Sequence, residues 1–136
     1  MPKLSPAVRE FLGEPRFAVL ATVNSDGTPQ QTVMWYLLEG DDIVMNTARG
    51  RRKDRNLVRD ARVSICVEDG YRYVTLSGSV TLDDRHEPSQ ADIRRLAVRY
   101  AGEEEAARMV ADDFGKQSRV TIRMKIAAAD IRGFED

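Results

Sequence analysis

RFAVLATVNSDGTPQQTVMWYLLEGDDIVMNT, residues 16–47, holds three apolar runs separated by two turn signals. The first run, RFAVLATV (16–23), stops at NSDGTP, where Asp26-Gly27 favours a turn and Pro29 cannot donate to a central ladder. QQTVMWYLL (30–38) follows at hairpin distance, and EGDD divides it from IVMNT (43–47). Short β-branched runs joined by tight turns predict an antiparallel meander. Further on, RVSICVE (62–68) and RYVTLSGSVTL (72–82) meet across Asp69-Gly70. In the second of these, Val74, Leu76, Gly78, Val80 and Leu82 alternate with Tyr73, Thr75, Ser77, Ser79 and Thr81, the period of a half-buried strand. Gly78 in mid-strand predicts a bulge or a bend at a barrel corner. RVTIRMKI (119–126) is a sixth and last strand.

Elsewhere the period changes to that of helices. PSQADIRRLAVRYAG (88–102) carries an apolar stripe of Ile93, Leu96, Ala97 and Tyr100. Ser89 and Asp92 stand at capping-box spacing, and Gly102 is a stop. EEEAARMVADDF (103–114) repeats the pattern with Ala106, Met109 and Val110, its acids in the first turn. MPKLSPAVREFLGEPRF (1–17) lacks the apolar core of a signal peptide and reads as a short amphipathic helix. Six mostly sequence-adjacent strands with helices added late predict one domain over 1–136. It is mainly β with helical decorations, a six-stranded antiparallel barrel.

Composition narrows the function classes. The chain has 136 residues, 42% hydrophobic and 32% charged, which suits a globular protein with a sizeable core. No apolar run approaches the ~18 residues of a membrane span. The single cysteine, Cys66, cannot form an internal disulfide, and a cytoplasmic location is expected. With one Cys and one His, a soft-metal site or a Cys–His nucleophile pair lacks material, and no metal site is expected. Cys66, within VSICVE, reads as a small core residue, and His86, within LDDRHEP, as a surface one.

Positive charge is distributed very unevenly. NTARGRRKDRNLVRD (46–60) holds Arg49, Arg51, Arg52, Lys53, Arg55 and Arg59 against Asp54 and Asp60, in a chain whose formal net charge is −1. RRKDRNLVRD is helix-competent, with Leu57 and Val58 apolar and Asn56 and Asp60 at its exposed end. A helix beginning near residues 50–52 would place Arg51, Arg52 and Lys53 in its first turn, where the helix already presents partial positive charge and free N–H groups. An anion held jointly by backbone and side chains would account for this arrangement. A solvated basic loop and a nucleic-acid patch are the other readings, the latter weakened by the acidic remainder of the chain. Met34, Trp35 and Tyr36 are consecutive, so one large aromatic must face away from its neighbours. Tyr71 and Tyr73 flank Arg72 at a hairpin, a polar-tipped aromatic pair suited to interfaces or stacking.

Taken together, ATVNSDGTPQQTVMWY, IVMNTARGRRKDRNLVRDARVSICVED and YVTLSGSV, in this order, resemble the pyridoxamine 5′-phosphate oxidase-related flavoproteins. Their fold is the FMN-binding split barrel of Greek-key type. More narrowly, the chain resembles their deazaflavin-dependent branch, which uses coenzyme F420. The resemblance implies a homodimer with cofactor sites at the subunit interface, a planar small-molecule substrate, and no nucleic-acid or membrane partner. It implies that Thr32, Val33, Met34 and Trp35 border the cofactor ring and that Asn46 and Thr47 reach its polar edge or ribityl chain. Arg51 and Lys53 fall on the family's phosphate positions, with Arg52 and Arg55 reinforcing that site or holding salt bridges. Tyr71 and Tyr73 would cover the groove from the partner subunit, and Arg49 with Arg16 would hold an anionic cofactor tail. The implied reaction is hydride transfer between reduced F420 and an enone, quinone or heterocycle, with no catalytic residue named. An FMN-dependent oxidase or reductase and a non-catalytic cofactor-binding module are the alternatives. The last residues, ADIRGFED (129–136), offer only Arg132 as a base, so oxidation of pyridoxamine phosphate itself is not expected.

Overall fold

The computed structural model describes residues 2–134; Met1, Glu135 and Asp136 lie outside the described residues. Helix α1 (Pro6–Gly13) precedes strands β1 (Ala18–Val23), β2 (Pro29–Met34), β3 (Leu37–Glu39) and β4 (Asp42–Ala48). Helix α2 (Arg52–Arg59), β5 (Arg62–Asp69), β6 (Arg72–Asp83), α3 (His86–Ala101) and α4 (Glu103–Asp112) follow. A 3-10 turn (Phe114–Lys116) then leads to β7 (Arg119–Arg132). All pairings are antiparallel, in the order β2-β1-β5-β6-β7-β4-β3. The two sheet edges, β2 and β3, are separated in sequence only by Trp35 and Tyr36. Three residue steps span at most about 11 Å, so the sheet curls until its edges are joined by chain rather than by hydrogen bonds. That is a split antiparallel barrel.

Seven strands stand where the sequence predicts six, and the meander is broken. The run 30–38 divides at Trp35-Tyr36: its first half pairs with β1, its second with β4 on the opposite edge. The backbone groups at the break find partners on α3 instead of in a ladder. Tyr100 Oη accepts from the Tyr36 N–H, and Arg99 Nε donates to the Tyr36 carbonyl. Arg99 also donates to the carbonyls of Leu12, Gly13 and Glu14, tying the break to the end of α1.

The inner face carries alternate residues of each strand. Leu20, Ile65, Leu76, Ile122 and Met124 are fully buried, and α1 adds Val8, Phe11 and Leu12 to the same cluster. Ser5 caps α1 by accepting from the Val8 N–H. Gly78 produces the bulge: the β6–β7 register shifts between Ser77 and Gly78, and a Cβ there would lie 2.2 Å from the Lys125 carbonyl oxygen. Beyond the bulge β7 runs on to Arg132, six residues past the predicted end, because Tyr73–Ser77 supply it with partners.

Three local expectations need correction. Ser89 and Asp92 do not form a capping box; α3 begins at His86, and Ser89 Oγ donates back to the carbonyls of Arg85 and His86 from inside the helix. Asp92 instead accepts from Thr121 Oγ1 on β7. Cys66 is half-buried on the outer face of β5, because Val63, Ile65 and Val67 take the core side. Asn56 is buried rather than exposed, and it donates to Thr22 Oγ1 and Asn24 Oδ1. No described helix is long and apolar enough to cross a membrane.

Candidate functional site

Helix α2 begins after a tight lead-in. Gly50 has φ +89°, and its N–H donates to Asp54 Oδ2, while Arg49 Nη1 donates to Asp54 Oδ1. Asp54 is 3% exposed, so the negative charge in the first turn folds back on the lead-in rather than facing outward. Arg51 is the N-cap and contributes no side-chain cap. Its neighbour Lys53 is 7% exposed and, among the described residues, makes no hydrogen bond or ion pair. Burial, then Arg51 and Arg119, hold the Lys53 ammonium below the ordinary lysine pKa.

These cations line one end of a cleft of about 250 Å³. Thr32, Val33, Met34 and Trp35 come to it from β2, Asn46 and Thr47 from β4, and Ile93 and Leu96 from α3. Phe114 and Arg119 complete the lining. Trp35 stacks on Tyr100 at 5.3 Å with 7° between the rings, and Phe114 meets its edge at 6.2 Å. The cleft therefore combines aromatic and aliphatic side chains with three cations, and the two kinds meet where Arg119 lies against Phe114. Arg119 is held rigidly: Nε donates to Asn46 Oδ1, Nη1 donates to Gln117 Oε1, and the guanidinium lies 4.9 Å from the Phe114 ring centroid. Asn46 is fixed in turn by donating to the Ser89 carbonyl. Burial, with Arg51 nearby, pulls the Arg119 pKa down to about 10, which leaves it a cation at neutral pH.

Of the residues singled out in the sequence, eight converge here: Thr32, Val33, Met34, Trp35, Asn46, Thr47, Arg51 and Lys53. Arg52 and Tyr73 do not. Arg52 points to the other side of α2, beside the β1–β2 turn, and Tyr73 sits near the β5–β6 hairpin opposite Glu68 and Arg132. Arg49 is paired with Asp54 and Asp84, and Arg16 with Glu14 and Asp69. Arg119 and Phe114 escape sequence reasoning because Arg119 reaches the site only through the pairing of β7 with β4, where it stands opposite Ala48.

The sequence profile of the pyridoxamine 5′-phosphate oxidase family matches residues 4–132. The chain belongs to that family. Among solved structures, a conserved hypothetical protein from Mycobacterium tuberculosis is 30% identical with a TM-score of 0.81, over 96% of this chain and 85% of that one. An F420 reductase is 27% identical with a TM-score of 0.74, over 96% and 98% of the two chains. A heme storage protein from Vibrio cholerae shares the fold at 20% identity and a TM-score of 0.74, over 98% and 97%. The family's fold thus hosts proteins with different named roles, and the site has to carry the functional argument.

Proposed function

We propose that this member of the pyridoxamine 5′-phosphate oxidase family is an oxidoreductase that binds coenzyme F420 in the cleft and transfers hydride between it and a planar electrophile such as an enone, quinone or heterocycle. The observation that carries the reading is Lys53, mostly buried and without a carboxylate partner beside Arg51 and Arg119, in a cleft whose walls include Trp35, Phe114, Ile93 and Leu96. The Lys53 ammonium opens on the cleft beside Arg51 and Arg119, where a bound phosphate would offset both its partial desolvation and the repulsion among the three cations. The residues fit a planar ring bearing a phosphate: aromatic and aliphatic walls for the ring, three cations for the anion. The structural likeness to an F420 reductase favours the deazaflavin. When bound, the cofactor supplies the hydride chemistry. Trp35, held by Tyr100, presents a fixed apolar wall to a ring. Arg51, Lys53 and Arg119 set its register through the anion, and α3 limits access of water through Ile93 and Leu96.

FMN is the second reading, favoured by the three cations themselves, which match a doubly ionised phosphomonoester. A homodimer belongs to either reading. The cleft opens at edge strand β2, where Val33 is 64% exposed, and Phe17, beside it, is 60% exposed. Outward positions across the adjoining strands, Val19, Cys66 and Thr75, are small or neutral, a surface a second copy would cover. Tyr73 lies on this sheet and would reach a cleft only in that pairing. Anaerobic fluorescence titration of the apo-protein with F420 and, separately, with FMN tests the assignment. Preferential F420 binding supports it, preferential FMN binding moves the protein to the second reading, and binding of neither refutes both.

A further inference from the structure

Arg52, Arg55 and Arg59 have no part in the cleft, yet they share one face of α2 at i, i+3 and i+7. The face borders a groove of about 480 Å³ between α2 and the β1–β2 turn, lined also by Asn24, Ser25 and Asp26. Ten of the chain's arginines lie within 4.0 Å of a described carboxylate. None of these three does, although they crowd the same helix. The one carboxylate in the groove, Asp26, is engaged by the N–H and hydroxyl of Thr28 and forms no ion pair with Arg52. Arg59 is anchored, donating to the Val23 carbonyl and to Asn56 Oδ1, and Asn56 is itself locked to Thr22 and Asn24. The groove floor is therefore fixed while Arg52 and Arg55 are free to engage a ligand.

We infer that this groove is a second anion-binding site, separate from the cleft, that takes an extended oligoanion. The class follows from the spacing. Arg52 and Arg59 are seven residues apart, about 10 Å along the helix axis, too far for one phosphate to bridge closely but suited to a chain of several phosphate or carboxylate groups. Different faces of one helix separate the two sites: Lys53 lines the cleft and Arg52 the groove. The groove's role is independent of the cofactor assigned to the cleft.

The test is calorimetric titration of sodium tripolyphosphate into the wild-type protein, the Arg52→Ser/Arg55→Ser variant and the Lys53→Met variant, at low and moderate salt. Both substituted arginines are exposed and unpaired, so the double variant is expected to keep the wild-type thermal midpoint, which is measured alongside. Wild type should show a groove component of binding besides any in the cleft; the double arginine variant should weaken that component at least about tenfold, and Lys53→Met should leave it unchanged. No binding to wild type overturns the inference. So does a loss confined to Lys53→Met, which would put the anion in the cleft.

Discussion

Tyr36 in the barrel and Lys53 in the cleft are both buried, at 0% and 7% exposure, but their polar atoms are treated differently. Tyr36 Oη donates to the Leu12 carbonyl, and its burial raises the phenol pKa to about 12, so it stays a neutral, satisfied donor. Lys53 Nζ has no acceptor among the described residues, with Arg51 and Arg119 for neighbours. The barrel satisfies its buried polarity internally, whereas the Lys53 ammonium is left open to whatever enters the cleft, solvent or ligand. A region that gives up stability in this way is a candidate for function, whereas one with every group satisfied is scaffold.

That contrast can be broken from the scaffold side first, where the largest effect is expected. Gly78→Ala would drive a methyl group into the Lys125 carbonyl, and it should cost about 3 kcal/mol in a denaturant melt, since both partners are backbone in the β6–β7 ladder. On the cleft side, Arg51→Ala with Lys53→Ala should weaken cofactor binding by about 2–4 kcal/mol, read by fluorescence titration, while the melt is unchanged or improved. Loss of stability together with affinity would erase the distinction between the two regions.

Smaller effects sharpen it. Tyr100→Leu removes the ring against which Trp35 stacks and should weaken cofactor binding by about 1 kcal/mol. Tyr100→Phe keeps the ring and loses the hydroxyl bonds at the Tyr36 break and to the Arg16 carbonyl, so stability should fall by about 1–2 kcal/mol with affinity retained. The smallest signal is in pH. Lys53 has a folded-state pKa lowered from 10.5, so its cost to the fold is fully present below that folded value and is relieved as pH rises through it toward 10.5. Over the same window the cation is lost, so affinity for a phosphate-bearing ligand should decline before an ordinary lysine would titrate. Stability should rise slightly relative to Lys53→Met, whose side chain does not titrate.

Much of this was legible in the chain because the decisive signals are local. Alternation in 72–82, the turns at Asp26-Gly27 and Asp69-Gly70, and Gly78 in mid-strand each specify backbone geometry within a few residues. The division of 30–38 was not legible, since it depends on Arg99 and Tyr100, more than sixty residues away, supplying the bonds that a ladder would have made. The same limit applies at the site. Residues 32–35, and Asn46, Thr47, Arg51 and Lys53, reach the cleft from two short pieces of chain, whereas Arg119 and Phe114 arrive through tertiary pairing. That Arg52 lies outside the cleft was not legible for a related reason: a charge run gives no phase, and one residue of helical rotation separates Lys53 in the cleft from Arg52 beside it.

The most direct test of the central claim, that the cleft's cations are present for an anion, is thermal unfolding of wild type and Lys53→Met, each alone and with saturating F420 or FMN. Lys53→Met alone should melt at or above the wild-type midpoint. A cofactor should raise the midpoint of wild type by clearly more than it raises that of Lys53→Met. A Lys53→Met protein that melts lower when alone, or that is stabilised by cofactor as much as wild type, would contradict that claim.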